Sequence, residues 1–287
     1  MTDYTLSAFG DEAGNSCEEQ IAALQQAGLS YIDIRGMDGH NIAALPLEAA
    51  RAAKEKLDAA NIQVAMFGSP IGKIDIADDL ESDLEKLRHL GELAPVLGCS
   101  AVRVFSYYNA QGRSHDEWQN ESLNRLKQLR DEASRLGLVL YHENERHIFG
   151  DLRADVGIIA GELRDGPDGV FRLIFDFDNY NQSGEDVWQN WLALRDMTDA
   201  IHLKDSRDNQ HTPVGQGTGR VREILEDAAR RNWRGPMSIE PHLQHSAAIM
   251  ATGPSGTANQ QFANMTQAES FSLACHAATD LLGQTGY

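Results

Sequence analysis

Short runs rich in β-branched, aliphatic and aromatic residues alternate with longer amphipathic stretches along almost the whole chain. Eight runs read as strands: YTLSAF (4–9), YIDIR (31–35), IQVAMF (62–67), AVRVFS (101–106), LVLYHE (138–143), RLIFDF (172–177), DAIHLK (199–204) and PMSIE (236–240). Successive runs start 27 to 39 residues apart, the length of one strand plus a helical crossover. The stretches between them carry helix punctuation. Ser16 with Glu19 and Ser114 with Glu117 form capping boxes, Pro46 stands where a helix can begin, and Gly28, Gly98 and Gly137 fall where helices stop. Eight such units predict an α/β protein, a single (β/α)8 barrel. An open doubly wound sheet is disfavoured, because the first run leads into FGDEAG rather than a glycine fingerprint for dinucleotides.

Composition fits this picture. Of 287 residues 41% are apolar, enough to bury a large core, and no apolar run reaches the roughly 18 residues that span a bilayer. No Pro, Gly or Ser-rich linker divides the chain, so one domain is expected over residues 1–287, with a long loop or lid at about 245–267 after the eighth run. Cys17, Cys99 and Cys275 are odd in number and scattered, and the N-terminus lacks a basic segment followed by an apolar one; both suit a cytoplasmic protein. With 43 Asp plus Glu against 25 Lys plus Arg, the formal charge is −18, which argues against nucleic acid and anionic membranes as partners.

Functional side chains of such barrels gather at the C-terminal ends of the strands. The fifth run ends in His142-Glu143-Asn144-Glu145, the sixth in Asp176-Phe177-Asp178-Asn179, the seventh in His202-Leu203-Lys204-Asp205, and the eighth in Glu240-Pro241-His242. By strand alternation Glu143, Asp176, His202 and Glu240 point into one mouth, whereas His142 points to the other side. Three carboxylates and an imidazole suit one hard divalent ion, with Mn²⁺, Mg²⁺ or Co²⁺ favoured over zinc. The plainer alternative is that each acid caps a helix or faces water.

The runs HENE, FDFDNY, HLKD and SIEPHL, together with SAFGDEA, IRGMDGHNI, GSPIGKI and VRVFSYY, resemble the sugar phosphate isomerase/epimerase family of the xylose-isomerase-like TIM barrel superfamily. That superfamily includes ketose 3-epimerases, hydroxypyruvate isomerase, inosose dehydratase and endonuclease IV. The resemblance implies one divalent metal on Glu143, Asp176, His202 and Glu240. It further implies that Glu143 and Glu240 act as acid and base through an enediolate. The trinuclear zinc centre of endonuclease IV is not matched: the third run leads into Phe67-Gly68-Ser69-Pro70, Asn179 stands three residues after Asp176, and only His211 corresponds to one of its extra histidines.

Further substrate contacts are expected from Lys73, Arg103, Glu145, Lys204, His211, Arg220 and His242. For Lys204 an ion pair with Asp205 or Asp208 is the alternative, and for Arg103 an ion pair inside the barrel. The loop PVGQGTGR (213–220) reads either as a phosphate cradle aided by Arg220 or as a tight turn into a helix. The leading expectation is a metal-dependent isomerase or epimerase acting on a small carbohydrate. A lyase or dehydratase on a keto-sugar or keto-inositol, and a non-catalytic sugar-binding barrel, are the alternatives. Self-association is left open.

Overall fold

The structure is a computed structural model and describes residues 4–244 and 260–287. The eight runs form a closed parallel barrel of β1 (Leu6–Phe9), β2 (Tyr31–Ile34), β5 (Gln63–Phe67), β6 (Ala101–Val104), β7 (Val139–Glu143), β8 (Phe171–Asp176), β9 (Ala200–Leu203) and β12 (Met237–Ile239). Each strand pairs with its sequence neighbours, and β12 returns to β1 through Leu6↔Met237 and Ser7↔Ser238. Two small hairpins, β3–β4 (Gly36–Met37 and His40–Asn41) and β10–β11 (Asp205–Arg207 and Gln210–Thr212), stand on the rim and were not expected.

The outer layer comprises α1 (Cys17–Gln26), α2 (Leu47–Ala59), α3 (Glu81–Leu97), α4 (His115–Leu136), α5 (Arg153–Leu163), α7 (Val187–Leu194), α8 (Val221–Arg230) and α9 (Gln267–Thr285), with a short α6 (Phe177–Gln182) directly after β8. Both expected capping boxes are present, and Gly98 and Gly137 end α3 and α4 in the left-handed region that glycine adopts without strain. Among the described residues no helix is long and apolar enough to cross a membrane. The loop expected at 245–267 lies mostly outside the described residues; from Gln260 the chain makes a 3-10 turn and then enters α9.

Most buried apolar side chains lie between strands and helices, as in Leu24, Leu90, Leu126 and Ile224. A separate cluster of Met66, Tyr141, Ile174 and Ala200 comes from β5, β7, β8 and β9. Tyr141, Ile174 and Ala200 each precede a predicted ligand by two residues, so alternation sets them on the same inward face, one step deeper. The barrel thus has an apolar floor beneath a polar mouth.

Candidate metal centre

β7, β8, β9 and β12 are consecutive around the barrel, and their C-terminal ends bring Glu143, Asp176, His202 and Glu240 together. One ligand atom from each lies within 4.8 Å of the other three, and all four residues are buried. His202 Nδ1 faces the carboxylates, at 3.0 Å from Glu143 Oε1, 3.4 Å from Glu240 Oε2 and 3.9 Å from Asp176 Oδ2. Asp176 divides its oxygens. Oδ1 caps α6 by accepting from the Asn179 amide at 2.7 Å, while Oδ2 turns to the cluster. Helix capping and a place in the cluster, alternatives in the sequence, are thus both open to one residue.

Two cations lean on the acids. Lys204 Nζ lies 3.0 Å from Asp176 Oδ2 and 3.4 Å from Glu240 Oε2. Arg103 Nη1 lies 3.2 Å from Glu143 Oε2 and 3.0 Å from Glu240 Oε1. Its guanidinium is flanked by the rings of Phe9 and Phe105, at 4.9 and 5.0 Å from their centroids.

Electrostatically the cluster is strongly polarised. Burial is the largest single influence and disfavours a charged His202, but the Glu143 and Glu240 carboxylates together outweigh it and push the imidazole up to about 10. Burial likewise opposes ionisation of Glu143, yet His202 and Arg103 hold it at about 2. Glu240 is held well below the usual carboxylate range, against burial, by Lys204 and other donors. Asp176 is pushed well up, chiefly by burial.

Three buried carboxylates converge here with Arg103 and Lys204, while Arg35, shared with Asp11, also reaches Glu240; Glu143 Oε2 and Asp176 Oδ2 meet their cations as ion pairs without a well-formed hydrogen bond. Buried anions require compensating charge. Oxygen-rich donors with one imidazole fit a single divalent ion.

The remaining expected residues divide into three groups. Lys73 and Glu145 pair at 2.7 Å on the rim, with Lys73 Nζ 4.4 Å above the Phe105 ring. His242 borders the centre, its Nε2 3.5 Å from Glu240 Oε1, and His211 sits edge-on to His242 with its Nδ1 3.0 Å from Asp178 Oδ2. Arg220 does not join them: its side chain is 61% exposed and pairs with Glu223. The phosphate-cradle reading of the loop is corrected as well. The amides of Gly215, Gly217 and Gly219 all donate to the Asp205 carboxylate, at 3.0, 2.9 and 3.0 Å, so a side chain of this protein fills that anion position. Lys204 pairs with the centre and not with Asp205 or Asp208, while His142 faces outward against Ser106 and Phe171.

Sequence reasoning missed Asp11, Glu12 and Arg35, which are buried beside Glu240. They too follow barrel strands, the first and the second, so the strand-end argument applied to the later four would have reached them.

The profile of the xylose isomerase-like TIM barrel family matches residues 21–262. Among curated proteins, no sequence matches the chain. Solved structures share the fold at low identity. A probable 3-DHS dehydratase of petrobactin synthesis from Bacillus anthracis is 16% identical with a TM-score of 0.71, over 97% of this chain and 99% of that one. D-allulose 3-epimerase from Methylomonas sp., in complex with D-allulose, is 15% identical with a TM-score of 0.73, over 99% and 98%. The IOLI protein with a binding zinc atom is 15% identical with a TM-score of 0.70, over 98% and 99%.

Proposed function

The chain belongs to the xylose isomerase-like TIM barrel family, and on that premise we propose that it is a divalent-metal-dependent isomerase or epimerase of an unphosphorylated keto-sugar or keto-polyol. One observation carries this reading. Glu143 and Glu240 each turn one oxygen toward His202 Nδ1 and the other toward the same nitrogen of Arg103. A ligand oxygen and a second oxygen are thereby separated in both residues, which is what two opposed groups need in order to hold an ion and also exchange a proton. The engagement of the 215–219 amides by Asp205 supports a substrate without phosphate.

Glu143, Asp176, His202 and Glu240 would hold the ion, with Mn²⁺, Mg²⁺ or Co²⁺ suited to the oxygen-rich set and zinc admitted by its presence in a structural relative. When bound, it supplies Lewis acidity that neutralises negative charge developing on the carbonyl oxygen. One glutamate then removes the proton from the carbon next to the carbonyl and the other returns one, passing through an enediolate. Arg103 and Lys204 are placed to donate to oxygens on which charge builds, and Phe9 and Phe105 wall the site against water. Elimination is the second reading, favoured by His242 and Lys204 as donors additional to the two glutamates, as loss of a leaving oxygen requires.

The test is incubation of the metal-loaded protein with a panel of ketoses and keto-inositols in deuterated water, read by NMR. Deuterium entering next to the carbonyl is the expected result, with an alkene-bearing product marking elimination. Binding with no exchange across the panel would leave a sugar-binding barrel. Glu143→Gln and Glu240→Gln are each expected to lower exchange by about 10²- to 10⁴-fold while remaining folded.

A further inference from the structure

The loop after β1 places two consecutive acids, Asp11 and Glu12, against the cluster from outside it, and β2 leads into Arg35. Arg35 and Asp11 form a bidentate pair, Nε to Oδ2 at 2.8 Å and Nη2 to Oδ1 at 2.9 Å. The remaining nitrogen, Nη1, donates to Glu240 Oε1 at 3.1 Å and lies 3.2 Å from His242 Nε2. The guanidinium rests on the Phe9 ring, 5.0 Å from its centroid. Glu12 acts on the other flank: its Oε2 accepts from the His242 amide at 2.8 Å, and His242 takes a left-handed backbone at φ 48°, strained for a non-glycine residue. Glu240 therefore stands between two braces whose anchors lie in the first βα loop.

Arg103 reaches the same oxygen of Glu240, but its carboxylate partners are the two glutamates of the centre itself. Arg35 differs because Asp11 fixes its fork independently of the centre. A planar guanidinium held along one edge by a carboxylate presents its last nitrogen in a defined direction, which a lysine cannot reproduce.

We propose that Arg35, locked by Asp11, is a positioning residue that holds Glu240 with Oε2 turned to the ion and Oε1 turned away from it. The inference rests on the metal centre proposed above. Removing Arg35 lets the Glu240 carboxylate rotate, so the ligand set is no longer preorganised.

The experiment compares Mn²⁺ affinity by calorimetry, and the visible spectrum of the Co²⁺-loaded protein, for the wild type, Arg35→Met, Arg35→Lys and Asp11→Asn. Coulomb's law alone predicts tighter cation binding when a positive charge beside anionic ligands is removed. Positioning predicts the opposite. Arg35→Met is expected to bind Mn²⁺ about tenfold more weakly, with a changed Co²⁺ spectrum, and Arg35→Lys to recover little of the loss. Arg35→Lys keeps the charge and loses only the anchored fork, so its weaker binding has no Coulombic explanation and it decides the matter if Arg35→Met does not fold; Asp11→Asn should weaken binding too, but there the lost negative charge acts in the same direction. Equal or tighter Mn²⁺ binding by the folded variants overturns the role of Arg35 alone. Absence of Mn²⁺ binding by the wild type overturns the proposed centre as well.

Discussion

His142 and Glu143 are neighbours in β7 and face opposite sides of it. Glu143 enters the mouth, whereas His142 lies under the helical layer, where Nε2 hydrogen-bonds Ser106 Oγ at 2.9 Å and the ring stacks on Phe171. Burial, opposed only in part by the Glu143 charge, lowers the imidazole from 6.5 to about 4. The folded state therefore keeps His142 neutral, and the unfolded chain takes up a proton below pH 6.5. Stability is expected to fall as pH drops from about 6.5 to about 4, by about 3 kcal/mol from this group. Urea unfolding across that range, compared with His142→Asn, checks it: the variant's curve should be flatter. Residue by residue, alternation within a strand sufficed to separate His142 from Glu143 and to align Glu143, Asp176, His202 and Glu240. It could not show that Asp205 would turn into the glycine loop, since that depends on backbone amides ten to fourteen positions away.

Among the elements, the barrel strands were legible because buried parallel strands are continuous apolar runs, and their observed ends differ from the expected ones by at most two residues. The β10–β11 hairpin was not seen. Its signal is the Asp208-Asn209 pair, both at positive φ, which is the requirement of a tight hairpin turn. The loop carrying Lys73 shows how tightly some connections are specified. Gly72 has φ 85°, its amide donates to Asp83 Oδ2 at 2.8 Å, and a Cβ there would stand 2.1 Å from the Phe105 carbonyl oxygen. Gly72→Ala is expected to lower stability by about 3 kcal/mol in denaturant unfolding and to raise KM by displacing Lys73 from the rim. An unchanged unfolding midpoint would show that the loop is free to shift.

For the molecule as a whole, the acid cluster is already bridged by Arg103, Lys204 and His202, so the metal-free protein is expected to fold. Loading should add stability by mass action, about 2.7 kcal/mol at a free ion concentration of 100 times Kd, seen as a rise of a few degrees in Tm that EDTA reverses. A protein that unfolds on chelation would contradict this. The closing seam has a consequence in time. Ser7 and Ser238, hydrogen-bonded across β1 and β12, are 231 positions apart. During synthesis Asp11 and Arg35 emerge first, Glu143, Asp176 and His202 follow, and Glu240 comes last of all. β12 must therefore leave the ribosome before the seam can zip and Glu240 can reach Arg35. A complete set of four candidate donors therefore exists only once β12 has joined β1.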